Sequence, residues 1–216
     1  MSVVRYLITY LYLLFVISGV GFICLRLSVP TETSRKLIHI LLAFTWVFLY
    51  RFFWYDWQIV IIPISFIVIN ALSYKFKWFK MIERQDEKEN HLGTVYFAIA
   101  ITVLMIMALL FPSTIMQTGI ATFCLCFGDG FAALIGSAAK KRIVIKGNKS
   151  LQGSIACFVG TVIGLVVFCL IMNYSIPWYS YIIIGLATTL LELVEKGLDN
   201  FSITFGVYLL TVLLLR

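Results

Sequence analysis

Charge is what this chain has least of. Only 12% of its 216 residues are charged, against 62% that are hydrophobic. No soluble core needs so much apolar surface, so soluble globular classes are excluded and the pattern is that of a polytopic membrane protein. Little else is available for a separate soluble part, and one integral-membrane domain over residues 1–216 is expected. The net charge of +7 would suggest nucleic acid in a soluble protein. Here no nucleic-acid partner is expected, because the basic residues fall between apolar segments.

Three further absences narrow the reading. The first segment, VVRYLITYLYLLFVISGVGFICL, lacks a strong basic leader and an A-x-A cleavage site, so it reads as a retained helix and not a signal peptide. The five cysteines, Cys24, Cys124, Cys126, Cys157 and Cys169, all lie in apolar segments. Cys124 and Cys126 form C-x-C, which lacks metal-site spacing, and buried inert thiols are expected. A Walker A loop is missing as well: no glycine stands five residues before Gly147, and Asn148 separates it from Lys149.

What is present is a series of about eight apolar segments, 3–25, 37–54, 57–74, 92–111, 114–139, 154–173, 178–198 and 202–215. They predict an all-α transmembrane bundle of about eight spans, within a range of seven to nine; the last is short for a full crossing. With alternate loops placed on one side, fourteen of the seventeen basic residues share a face and only Arg5, Arg51 and Arg216 fall on the other. By the positive-inside rule the rich face is the cytoplasm, with both termini outside. The connector KFKWFKMIERQDEKENH reads either as a solvated link or as an amphipathic stretch on the inner leaflet. GTVIG, from Gly160 to Gly164, has the spacing that lets two membrane helices approach closely. Packing within the monomer is its expected use, with a homodimer left open.

The chemistry-bearing residues gather at helix ends on that same predicted face. In TSRKLIH, Arg35 and His39 are four apart and share one helical face, beside Lys36. In FGDGF, Asp129 stands about three turns before the basic loop, roughly 15 Å from it, and Gly128 and Gly130 allow a bend or a close ligand approach. In KGNKSLQGS, Lys149 and Ser150 open the sixth span, where free N–H groups, a hydroxyl and an ammonium make a phosphate site with Gly153. Lys140 heads the neighbouring basic run. In LLELVEKGLDNF, a continuous helix would bring Glu192 and Asp199 within about 20° of each other. Asp129, Glu192 and Asp199 are therefore candidate oxygen ligands for magnesium, and Lys149, Ser150, Arg35 and Lys36 candidate anion binders, which together suit phosphoryl transfer. Each group has a plainer role open to it. Asp129 can be a proton or ion relay, or the partner of a lysine. Arg35 and Lys36 can be topology anchors, and His39 a hydrogen-bonded helix residue. Lys140 to Arg142 can be headgroup contacts, and Glu192 and Asp199 helix-end charges.

SRKLIH, GDGFAALIG, KSLQGS and EKGLDNF occur here in the order of similar motifs in the CTP-dependent lipid kinases: dolichol or polyprenol kinase, phytol kinase and CTP-dependent diacylglycerol kinase. The chain resembles that family from about residue 33 to 205, and more remotely resembles phosphatidate cytidylyltransferase. The resemblance implies a kinase that moves the γ-phosphate of CTP, with Mg2+, to a membrane-dissolved lipid alcohol. It implies that Asp129 belongs to the catalytic or metal-binding core, that Lys149, Ser150 and Gly153 lie in the nucleotide-phosphate segment, and that Asp199 with Asn200 forms the last polar motif. Arg35, Lys36 and His39 match its first motif. Either Asp129 or Asp199 is a candidate base for the lipid hydroxyl. Two departures stand out: Gln152 where many members have Glu, and GSAAKKR where many have an Arg and a further Gly. Two other activities use similar parts. One is a cytidylyltransferase releasing pyrophosphate, and the other a small proton- or cation-coupled transporter, for which no matching repeats are seen between the halves.

Overall fold

A chain crossing lipid has to satisfy its own backbone N–H and C=O groups, and a helix does so within one segment. In a computed structural model the protein follows that rule: it is all-α, with one short two-stranded hairpin among the described residues. The structure describes residues 2–76, 92–139, 141–147, 149–194 and 199–215, without the Ser2 side chain. Most of the charged connector, together with Lys140, Glu195 and Lys196, lies outside the described residues.

Among the described residues six helices are long and apolar enough to cross a membrane: α1 (Val3–Arg26), α2 (Thr31–Phe53), α3 (Trp57–Phe76), α4 (Gly93–Leu110), α5 (Pro112–Ala138) and, after the hairpin, α6 (Leu151–Met172). The hairpin pairs β1 (Val144–Lys146) with β2 (Lys149–Ser150) in antiparallel fashion. Its turn uses Gly147 at φ 52°, in the left-handed region that favours glycine. Two shorter helices end the chain, α7 (Trp178–Glu192) and α8 (Asp199–Leu214), of 15 and 16 residues. Segment 178–198 is thus not the continuous helix that the pattern predicts: α7 stops at Glu192, and Leu193 and Val194 turn away from it.

The chain gathers into two compact units, Met1–Pro112 and Ser113–Arg216. In the first, apolar attraction between helices is weak because the lipid is equally apolar, so polar contacts and close packing hold them. Three tyrosines of α1 supply such contacts. Tyr6 donates to Gln58 Oε1 at 3.0 Å, Tyr10 shares a hydrogen bond with Ser65 Oγ at 2.8 Å, and Tyr12 donates to the Leu41 carbonyl. Trp46, Leu49, Phe53, Ile59 and Ile62 fill the interior.

In the second unit α5 is the central element, with 78% of its most apolar stretch buried. Gly160 and Gly164 of α6 face it. A Cβ at Gly160 would lie 2.7 Å from Phe131 Cβ and 2.8 Å from the Phe127 carbonyl, and one at Gly164 2.9 Å from Phe127 Cβ. The GTVIG motif therefore serves packing inside the monomer, as expected. Midway along, α5 changes hand-over from α-helix (Ile115–Phe123) through a π-helical turn (Cys124–Asp129) and back to α-helix (Gly130–Ala138). The widened turn re-aims the side chains that follow it.

Candidate active site

Asp129 is the last residue of that π-helical turn and is buried. A site in the middle of an apolar helix is unfavourable for a carboxylate by about 3 kcal/mol even on insertion scales, so a compensating group is required. The second unit supplies it from the hairpin. Lys149, at the start of β2, reaches inward so that its Nζ lies 2.5 Å from Glu192 Oε1 and 3.6 Å from Asp199 Oδ2, and Asp129 adds to the field on the same ammonium. Burial alone would lower the Lys149 pKa. The Glu192 carboxylate, with Asp129 and Asp199 behind it, more than offsets that and holds the ammonium above its ordinary value.

Each partner is placed by local chemistry. Ser150 caps α6: its Oγ accepts from the Gly153 N–H at 3.2 Å, which fixes the residue beside Lys149. Gly153 has a second reason to be glycine, since a Cβ there would lie 3.1 Å from the Ala132 carbonyl on α5. Asp199 begins α8, where its Oδ1 accepts the Asn200 N–H at 3.0 Å while Oδ2 faces Lys149. Asn200 is buried, and its carbonyl accepts from Thr204 Oγ1. Ser202 Oγ lies 3.2 Å from both the Leu191 and Asp199 carbonyls, tying the end of α7 to the start of α8. Gln152 holds the hairpin: its Oε1 accepts the Ile143 N–H at 3.1 Å and its Nε2 donates to the Lys141 carbonyl at 2.7 Å.

Four sequence-predicted residues thus converge, namely Asp129, Lys149, Glu192 and Asp199, with Ser150, Gly153 and Asn200 adjoining them in the chain. The reason for the Glu192–Asp199 approach differs from the predicted one. They do not share a helical face; each is the terminal residue of its own helix, and Lys149 draws both. Gly128 is occupied by helix packing, because a Cβ there would lie 2.6 Å from Thr161 Oγ1 and 3.0 Å from Thr188 Cγ2. Gly130 is buried at the π-to-α junction. Lys140 lies outside the described residues. Ser202 and the tethering role of Gln152 are not foreseen from the sequence; a serine three residues after a helix-opening acid was the available signal for the first.

Arg35, Lys36 and His39 belong to the first unit, on α2. Arg35 Nη2 pairs with Glu32 Oε1 at 2.7 Å, one turn away, and its Nη1 lies 3.7 Å from where a Gly93 Cβ would be. Lys36 is buried, and His39 packs on the Phe97 ring at 4.7 Å.

Hard carboxylate oxygens are the donors magnesium prefers, so the chemistry of Asp129, Glu192 and Asp199 suits it. Their arrangement does not: Lys149 stands between Glu192 and Asp199, and among the described residues no group of three or more His, Cys, Asp and Glu side chains is placed to hold a metal. In this arrangement an ammonium neutralises the carboxylates.

No family model, curated protein or solved structure matches the chain. Fold and cluster together define a class, an all-α integral membrane protein with a buried ionic centre at the ends of three helices.

Proposed function

We propose that the chain is an integral-membrane kinase transferring the γ-phosphate of CTP to a lipid alcohol: a prenol or polyprenol, phytol or diacylglycerol. In this reading α1 to α8 form eight spans with the basic loops and the active site facing the cytoplasm. One observation supports it above the others. Lys149 draws together carboxylates from separate motifs, Glu192 and Asp199 directly and Asp129 through its field. Three of these four positions, Asp129, Lys149 and Asp199, are those the resemblance singles out.

The residues then divide the work. The Lys149 ammonium turns to the nucleotide phosphates and offsets the charge that develops during transfer. The lipid hydroxyl attacks the γ-phosphorus; the bond from that phosphorus to the β–γ bridging oxygen breaks, and CDP leaves. The hydroxyl proton passes to a carboxylate. Asp199, whose side chain is 17% exposed, is more accessible for this than the buried Asp129. Magnesium is implied by the resemblance, and the assay includes it as a variable.

The test is phosphate transfer by purified protein in lipid, with CTP or ATP labelled at the γ-phosphate and the candidate alcohols as acceptors. Labelled lipid from CTP, abolished by Asp129→Asn and by Lys149→Met, is the expected result. Label reaching lipid only from the α-phosphate would establish a cytidylyltransferase instead. If neither label enters lipid, the kinase reading falls and ion flux in liposomes becomes the next measurement.

A further inference from the structure

The outer surface of the hairpin is unusual for a loop. Residues Lys141 to Gly147 are all exposed, and Ile143, Val144 and Ile145 are three consecutive branched aliphatics among them. Successive strand residues point to opposite faces, so exposure of all three means that neither face of β1 packs on the bundle. Water is a poor neighbour for such a run. The depth of the hairpin follows from α6. Its 22 residues span about 33 Å, close to the ~30 Å of a hydrocarbon core. Leu151, Ile155, Val159 and Ile163 recur every four residues and are exposed, a stripe that faces lipid. That stripe begins on the residue after β2. The Leu151 N–H donates to the Ile143 carbonyl at 2.8 Å, so the first aliphatic of the hairpin stands level with the first lipid-facing residue. From Ile143 to Lys146 the chain advances about 10 Å at ~3.3 Å per residue, and the headgroup layer on each side of a bilayer is ~5–8 Å thick. The hairpin therefore lies at headgroup level.

We propose that the outer surface of the hairpin docks on anionic glycerophospholipids of its own leaflet, with its aliphatics at the acyl boundary and its cations on the phosphates. Charge complementarity selects that partner. Lys141, Arg142 and Lys146 flank the aliphatics and are exposed, and the sequence holds no Asp or Glu between Asp129 and Glu192. The hairpin sorts its cations. Lys149 is half-buried and turned to Glu192 and Asp199, whereas Lys141, Arg142 and Lys146 stay outside. Long basic side chains lay their stems along apolar surface while the charged heads remain with phosphate and water. A negatively charged leaflet attracts each such cation, and a zwitterionic one supplies no net field. Gln152 bonds the Lys141 carbonyl and the Ile143 N–H, which fixes this edge of the hairpin to the first turn of α6. The docking does not depend on the kinase reading, and none of the three outer cations belongs to the Lys149 cluster.

The experiment places a bimane fluorophore at Val144→Cys in the full chain, in vesicles of phosphatidylcholine and phosphatidylglycerol, with the unsubstituted chain treated alike as the blank. One lipid at a time carries a nitroxide, either high or low on its acyl chain. The high nitroxide should quench more than the low one, and more than iodide in the aqueous phase. At equal mole fraction, nitroxide-bearing phosphatidylglycerol should out-quench phosphatidylcholine, with a relative association constant about fivefold or more in its favour. Raised salt should shrink that ratio. Replacing Lys141, Arg142 and Lys146 together by Gln should bring the ratio to one. Lys146→Gln alone should lower it, and serves as the second variant where the triple one does not reconstitute. Stronger quenching by iodide than by either lipid, or equal quenching by the two lipids, would overturn the proposal. So would a ratio abolished by inorganic phosphate at constant ionic strength, or one unchanged in the variants that reconstitute.

Discussion

The ammonium of Lys149 sits against Glu192, which is 4% exposed, and close to Asp199. Removing one member of a buried ion pair leaves the other charged and unpartnered, at a cost of about 3–5 kcal/mol. Lys149→Met should therefore lower the thermal unfolding temperature in detergent, toward the smaller figure because the Lys149 side chain is 16% exposed. Adding Glu192→Gln should restore part of the loss, and the double-mutant cycle should give a favourable coupling between the two residues. If the double variant is as unstable as the sum of the singles, the pair is not what holds these helix ends. The pH dependence has a definite sign. A lysine whose folded pKa lies above its ordinary 10.5 contributes stability that is fully present below 10.5 and is lost as pH rises through the higher folded value. The stability difference between wild type and Lys149→Met should thus stay flat from neutral pH up to that ordinary value and shrink only beyond it. Unfolding midpoints measured along a pH series for both proteins check this, and a difference that vanished nearer neutrality would mean that the ammonium is not held by carboxylates.

At the scale of elements, the hairpin and the α5–α6 seam are the parts that set the cluster's position. Gln152 reaches both the Ile143 N–H and the Lys141 carbonyl, a pairing that needs an acceptor and a donor on one side chain. Gln152→Glu keeps the acceptor but places a carboxylate against a carbonyl; Gln152→Ala removes both bonds. Each bond contributes about 0.5–1.5 kcal/mol, so both variants should speed amide exchange at Ile143 and Leu151, whose N–H donates to the Ile143 carbonyl at 2.8 Å. Unchanged exchange would show that the hairpin is held without Gln152. The seam is less forgiving. Gly160→Ala would put a Cβ 2.8 Å from a backbone carbonyl, which cannot swing aside as a side chain can. A loss of about 1–3 kcal/mol is expected from such overpacking, read as a lower unfolding temperature. This seam was legible in the sequence because G-x-x-x-G states a steric requirement directly. The hairpin is less so: IVIK and KS flank Gly-Asn, a turn signal, yet the surrounding lysines fit a plain basic loop equally well. The approach of Glu192 and Asp199 comes from two helix ends and not from one helical face, because a hydrophobic period does not show that Leu193 ends the helix. The π-helical turn of α5 is not legible at all, because it leaves no mark in an apolar run.

On the scale of the whole molecule, each of the eight apolar segments contains a helix, but length and composition suit only some of these helices to a full crossing. Six of the eight are long enough by themselves, whereas α7 and α8, at about 1.5 Å per residue, reach roughly 22–24 Å against a hydrocarbon core of about 30 Å. A short span is accommodated by local thinning of the bilayer at fractions of a kcal/mol per Å, so crossing remains favourable for α8, whose polar residues Thr204 and Thr211 are buried and bond back to their own helix. The eight-span arrangement predicts a pattern of accessibility. In a variant with all five native cysteines replaced, Tyr55→Cys and Ser175→Cys, both at exposed turns, should react with a membrane-impermeant maleimide on intact cells. Lys146→Cys, on the exposed edge of the hairpin, should react only after permeabilisation. Leu215→Cys, just beyond α8, decides the last crossing. Labelling from outside means that α8 spans and both termini are external; labelling only after permeabilisation leaves seven spans, with α8 folded back on the side of the Lys149 cluster. The basic-residue asymmetry favours the first outcome no more than the second, because only Arg216 would change sides. The helix itself favours crossing, because folding it back on the side of the Lys149 cluster would leave Leu209 and Leu213, 59% and 69% exposed, facing water instead of lipid.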